Sequence, residues 1–233
     1  MNKQSNTYTV IYIILLVAVV GTAMALTALA LKPQQKANAD ADKMKQILAS
    51  IKITQDKADI LNAFDQYITD QYIVDSKGQK VENDIKAFDV NVAEESKKEA
   101  ADRLLPVYES TVDGAKKFII PVYGAGLWGP IWGYVAFNDD LNTVYGAYFS
   151  HQGETPGLGA EIAKPEFGAK FIGKQIFKDG EFKSIAVVKA GNKPLDDEDY
   201  IDGVSGGTIT SKGVDSMLRN CLSAYQEFFK SKQ

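Results

Sequence analysis

The sequence predicts an α+β protein: one amino-terminal transmembrane helix, then an antiparallel-sheet domain packed with helices. Three observations predict it. Val10 to Leu31 is a run of 22 residues without a charge. From Pro106 onward, short β-rich runs alternate with turn signals. The chain closes on one long amphipathic helical stripe.

Each element follows in order. As a helix, Val10–Leu31 reaches roughly 33 Å, about the hydrocarbon thickness of a bilayer. A cleaved signal peptide is the competing reading, with Ala23-Met24-Ala25 or Ala28-Leu29-Ala30 as weak small-x-small sites. Its apolar stretch is about 7–15 residues, shorter than this run, so a retained anchor is expected. Lys3 precedes the span and Lys32 and Lys36 follow it, so the positive-inside count is nearly balanced. The short amino tail favours an amino end inside and the remaining domain outside the cytoplasm. The expected division is 1–9 cytoplasmic tail, 10–31 transmembrane helix, 32–105 tether and helical subdomain, and 106–233 the sheet domain.

Pro33 to Asp42 is polar and short and reads as a tether. "MKQILASIKI" and "KADILNAFDQYI" show helical spacing, with Ile60, Leu61, Phe64, Tyr67 and Ile68 on one face. "EESKKEAADRLL", Glu94 to Leu105, is charged and helix-prone, with a solvated face. "KKFIIPVY" follows Asp113-Gly114, and "WGYVAFN" and "TVYGAYFS" flank Asp139-Asp140. "KFIGKQIF" and "EFKSIAVVK" meet at Asp179-Gly180, a hairpin signal. Val214, Met217, Leu218, Cys221, Leu222, Tyr225, Phe228 and Phe229 form the closing stripe, which makes Cys221 a small buried hydrophobe.

Composition bounds the function. Hydrophobic residues at 45% and charged residues at 24% describe a folded, non-disordered chain. A net charge of −4 argues against a nucleic-acid partner, which needs a basic footprint. The single cysteine excludes a disulfide framework and a Cys-based zinc site, and the single histidine, His151, argues against a His-rich metal site.

Three glycine-rich segments invite chemistry. "GAGLWG", Gly124 to Gly129, matches the dinucleotide pattern, but Pro130 and a strand follow where a helix must begin. It reads as a glycine corner; Trp128 and Trp132 near it are either core or the lining of a site for a flat ligand, and composition favours core. "SHQGETPGLGAEI", Ser150 to Ile162, reads as a polar surface loop. In "DGVSGGTITSKGV", Asp202 to Val214, Lys212 is followed by Gly213, so the segment lacks the end of a phosphate-binding P-loop. The closing helix is expected to start near Ser211 or Lys212, and a helix start stabilises an anion. Thr208 then lies just ahead of a phosphate seat.

"SGGT" after "DGV", with "ETPGLGAEI" upstream, resembles the two signature segments of the FMN-binding domain family. The anchor, "GAGLWGPIWGYVAF" and "TVYGAYFSHQGETPGLGAEI" narrow the resemblance to the C subunits of Na+-translocating NADH:quinone reductases. The G subunits of Rnf electron-transport complexes are a related alternative. The resemblance covers nearly the whole chain from Val10 and implies the fold of the FMN-binding domain.

It also implies a site. The last threonine of the family motif carries FMN through a phosphoester bond, which places the flavin on Thr208. Gly207 stands where alanine is usual, and Thr210 is a competing hydroxyl. Ser205, Gly206 and Gly207 would supply backbone approach, and Lys212 would face the phosphate. Glu154, Thr155, Leu158 and Gly159 match the segment that lies against the flavin. No catalytic triad and no metal site are expected. The implied role is electron relay from an iron–sulfur centre to a flavin on the B-type component, within a complex that also has A, D, E and F subunits. This chain alone would not oxidise NADH. A flavin transferase would mature it, and the domain would be periplasmic on the bacterial inner membrane. A membrane-tethered binding domain without cofactor and a soluble flavoprotein cleaved near Ala30 are the other readings.

Overall fold

The computed structural model describes residues 5–56, 59–82, 84–194 and 196–231. Part of the expected amino tail (Met1 to Gln4, with Lys3), Lys57-Ala58 of the second helical segment and the last two residues lie outside them.

The first element is one helix, α1 (Asn6–Ser50), with Pro33 inside it. The expected tether is therefore helical. A helix-interior proline costs about 3 kcal/mol, but Gln34, Gln35, Lys36, Ala37, Ala39 and Ala41 are good helix formers that carry the turn across it. The helix is long and apolar enough to cross a membrane. Residues 1–43 form one compact unit and residues 44–233 a second.

The second unit is built on a six-stranded sheet in the order β2-β1-β3-β4-β5-β6. These strands are β1 (Ile68–Val74), β2 (Lys80–Val81), β3 (Leu105–Val112), β4 (Ala115–Ala125), β5 (Pro130–Phe137) and β6 (Val144–His151). Every pairing in the sheet is antiparallel. The β3–β4 turn is Asp113-Gly114 with φ of 53° and 76°, the left-handed pair that a tight hairpin requires. β4 is buried continuously from Lys117 to Val122, because both faces of the sheet are covered.

One face carries the main core. Phe118, Ile120 and Val122 of β4 pack there with Val214, Leu218 and Leu222 of α5 (Thr208–Ala224) and Phe229 of α6 (Gln226–Lys230). The opposite face receives the end of α1. Trp132 Nε1 donates to Gln46 Oε1 at 2.9 Å, and a Cβ on Gly146 would collide with the Ser50 carbonyl. Beyond β6 the chain makes a 3₁₀ turn (Gly159–Ala163), a short helix α4 (Pro165–Ala169) and the small hairpin β7 (Phe177–Lys178) and β8 (Glu181–Phe182). β9 (Ile185–Val188) then pairs in parallel with β10 (Asp199–Asp202).

Several expectations are corrected. The helical reading of residues 57–68 ends at Tyr67 of α2 (Ile60–Tyr67); Leu61 is exposed, and Ile68 opens β1. The run Ile68–Val74 is rich in β-branched and aromatic residues, and pairing with β3 decides its state. Glu94–Leu105 is not one helix. After α3 (Val92–Glu95), Glu95 Oε2 accepts the Leu104 N–H at 2.9 Å and Arg103 donates to the carbonyls of Lys98 and Ser96, folding the segment back on itself. "KFIG" is a turn after α4, and "SIAVV" joins β10 rather than the hairpin. The closing stripe is buried throughout, including Cys221, but the helix breaks at Tyr225.

Candidate functional site

The β4–β5 turn (residues 126–129) and the loop after β6 (residues 152–158) lie at the same end of the sheet, because β5 is antiparallel to both neighbours. The start of α5 reaches this end because the helix lies very close to β4. A Cβ on Gly213 would collide with the Ala125 carbonyl, and one on Gly124 would come 2.7 Å from Met217 Cβ. The two glycine segments, far apart in the chain, thus meet.

α5 begins at Thr208, not at Ser211 or Lys212, with Gly207 as its N-cap. The Gly207 N–H donates to the Val204 carbonyl at 3.0 Å, and its own carbonyl accepts the Ser211 N–H at 2.9 Å. Gly206 has φ of 76°, the left-handed conformation that makes this tight approach possible without strain. Glycine brings no side chain to cap the helix, so the first-turn amides keep their partial positive charge for another anion.

The hydroxyls of this segment have separate fates. Thr208 is exposed, and so is Ser205. Thr210 is 1% exposed and donates to Glu154 Oε2 at 2.5 Å. Ser211 is buried and accepts the Val204 N–H at 2.9 Å. Thr210 is therefore not an open hydroxyl: its side chain is turned inward onto Glu154.

Glu154 is also not an open contact. It is 4% exposed, and Oε1 accepts the Trp128 N–H at 2.8 Å. Its own N–H donates to His151 Nδ1 at 3.1 Å. Desolvation pushes its carboxyl up, but donation from Thr210 and from the Trp128 and Leu127 amides outweighs it and holds the group below the ordinary carboxylate value. Gly159 is buried against this pair: a Cβ there would strike both Glu154 Oε2 and Thr210 Oγ1. Thr155 is exposed, and its carbonyl accepts the N–H groups of Leu158 and Ala160, each at 3.1 Å. Leu158 is half exposed, and its Cδ2 lies 2.7 Å from where a Gly206 Cβ would stand.

Beside the start of α5 opens a cleft of about 530 Å³, lined by Ser205, Gly206, Thr208 and Lys212 among others. The volume falls in the usual range for small-molecule sites. Sequence reasoning missed its far wall, formed by residues 189–194, Asp196, Glu198 and α5. Lys189 and Lys193 line it, as does Asp215, whose Oδ1 accepts the Val187 N–H at 2.9 Å. The Arg219–Glu198 ion pair, at 2.8 Å, closes that side. No periodicity or motif marks these residues; only folding gathers them. Trp128, expected in the core, is 68% exposed because the turn that carries it projects past the strand ends, and Trp132 is only half-buried, outside the main core, with its Nε1 held by Gln46.

Comparison with known proteins gives the family and the fold. Residues 126–223 match the family model of the FMN-binding domain. The chain is 34% identical to the C subunit of the Na(+)-translocating NADH-quinone reductase of Vibrio anguillarum, over 91% of this chain and 89% of that protein. It is 31% identical to the protein of the same name from Haemophilus ducreyi, over 94% and 90%. The crystal structure of the corresponding C subunit from Parabacteroides distasonis superposes with a TM-score of 0.81 at 49% identity, covering 87% of this chain and 98% of that one. The Shewanella oneidensis NqrC structure gives 0.68 at 27% identity, covering 84% and 98%. With the anchor helix, the antiparallel sheet and both loop segments in place, the chain belongs to the family of Na(+)-translocating NADH-quinone reductase C subunits.

Proposed function

We propose that this chain is a membrane-anchored electron carrier that holds FMN through a phosphoester on Thr208. The observation that carries the reading is the contrast among hydroxyls: Thr208 stands exposed at the first residue of a 17-residue helix and on the wall of the cleft, while Thr210 and Ser211 are buried and engaged. A phosphodiester at Thr208 keeps one negative charge, which the uncapped helix start and Lys212 stabilise. Ser205, Gly206 and Gly207 shape the approach; Leu158 and Thr155 flank it. Attachment joins Thr208 Oγ1 to phosphorus. The hydroxyl proton passes to solvent, the phosphoanhydride bond of a flavin dinucleotide donor brought by the transferase breaks, and the donor's other phosphate half leaves as a nucleoside monophosphate. Bound FMN supplies the redox chemistry, and the protein supplies position and electrostatics.

The wider role follows the family. The chain works with A, B, D, E and F subunits, relaying electrons between an iron–sulfur centre and a flavin on the B-type component, and does not itself oxidise NADH. The anchor, Val10–Leu31, has no ionisable side chain that could relay an ion, Tyr12 apart, and so offers no ion path. In this reading the chain's sheet domain lies on the periplasmic side of the bacterial inner membrane, as the short amino tail before the span favours.

The test is a denaturing gel viewed under ultraviolet light, on the full chain coexpressed with a flavin transferase. Wild type and Ser205→Ala give a fluorescent band, and Thr208→Ala is dark. A fluorescent Thr208→Ala band, or an intact mass with nothing added to wild type, overturns the reading.

A further inference from the structure

Glu154 reaches three separate pieces of chain with one buried residue. Oε1 takes the Trp128 amide of the β4–β5 turn at 2.8 Å, and Oε2 takes the Thr210 hydroxyl of α5 at 2.5 Å. Its own amide is tied to His151 Nδ1 at the end of β6, at 3.1 Å. Thr210 is two residues beyond Thr208, within the same helical turn. The carboxylate is packed tightly between two glycines. A Cβ on Gly126 would stand 2.5 Å from Oε1, and one on Gly159 would collide with Oε2 and with Thr210 Oγ1. Both oxygens accept, and the donors come from the β4–β5 turn and from α5, so the ionised form fits.

From this geometry we infer that Glu154 is a positioning residue for Thr208: by gripping Thr210 it fixes the start of α5 against the β4–β5 turn and so sets where the Thr208 hydroxyl points. It does not touch Thr208. It acts through the helix turn, and the inference rests on Thr208 being the flavin acceptor. The link also accounts for the separation of the hydroxyls, because Thr210 is held inward by the same bond that leaves Thr208 outward. A buried, charge-assisted hydrogen bond is strong enough to select one orientation of a helix end.

The experiment uses the full chain with Thr210→Val, which keeps the side-chain shape and removes the donor, beside Thr210→Ser, which restores a hydroxyl. Two readouts are taken: the rate of flavin loading by a transferase, and amide hydrogen exchange of residues 205–212 in the unloaded chain. Thr210→Val is expected to load about tenfold more slowly and to exchange these amides about tenfold faster, as loss of a hydrogen bond to a charged group implies. Thr210→Ser is expected to return both to near wild type. Glu154→Gln serves as the second variant should Thr210→Val fold poorly, and the same slowing is expected of it. A Thr210→Val chain that loads at the wild-type rate overturns the inference, whatever its exchange pattern. If wild type itself takes no flavin, the acceptor reading fails, and the exchange arm alone decides whether Glu154 holds the helix start.

Discussion

At the scale of single residues, the site is governed by where a methyl group has no room. Gly159→Ala would drive a Cβ into the Glu154–Thr210 bond, and overpacking of this kind costs about 1–3 kcal/mol. Chemical denaturation is expected to show that loss, and flavin loading is expected to fall with it. Gly157, whose added Cβ would meet nothing, is the contrast: an alanine there costs only the left-handed backbone penalty of about 1 kcal/mol. The Glu154 carboxyl gives a pH signature. Its folded pKa lies below the ordinary 4.5, so the unfolded chain binds the proton more readily. Its contribution to stability is therefore complete above that value and is lost as pH falls through the folded pKa. Acid unfolding followed by circular dichroism is expected to show a flatter dependence below about pH 4.5 in Glu154→Gln than in wild type. The sequence displayed Thr208, Glu154 and Gly159 as members of two motifs. It did not display that Glu154 and Thr210 bond to each other, because that pairing joins residues 56 apart.

At the scale of elements, the approach of α5 to β4 decides where the site lies. Gly213 sits inside α5, where alanine would raise helix propensity by about 1 kcal/mol. The same methyl would collide with the Ala125 carbonyl, a backbone atom that cannot swing aside. The collision is expected to win: Gly213→Ala lowers stability by about 1–2 kcal/mol in urea melts despite its better propensity. Tyr225, where the closing helix breaks, is buried with its hydroxyl donating to the Pro106 carbonyl at 2.9 Å. Tyr225→Phe removes that buried hydrogen bond and is expected to cost about 1 kcal/mol by the same measurement. Strong periodicity made α5 legible, and turn chemistry made the Asp113-Gly114 and Asp179-Gly180 hairpins legible. β1 and the folded-back 94–105 segment were not, because partner strands and Arg103 override local preference there.

At the scale of the whole molecule, the chain divides near residue 43. Ile47, Leu48 and Ile51, at and just beyond the carboxyl end of α1, are fully buried in the second unit. A chain beginning at Met44 is therefore expected to be soluble and to unfold cooperatively, as judged by fractionation and thermal melting. A chain beginning after Ile51 loses three buried aliphatic side chains worth about 2 kcal/mol each, and is expected to aggregate or melt far lower. Equal melting of the two truncations would show that the end of α1 is dispensable to the sheet domain.

Much of this protein is local, and the sequence alone determined it. The uncharged run, the hairpin turns, the amphipathic closing helix and the two glycine segments each rest on the preferences of neighbouring residues, which need no distant partner. The tertiary structure alone decided which hydroxyls stay open, which carboxylate is buried, and which lysines share a cleft with Thr208. Those outcomes depend on the helix lying against β4 closely enough that only glycine fits between, a distance set by packing between segments far apart in the chain.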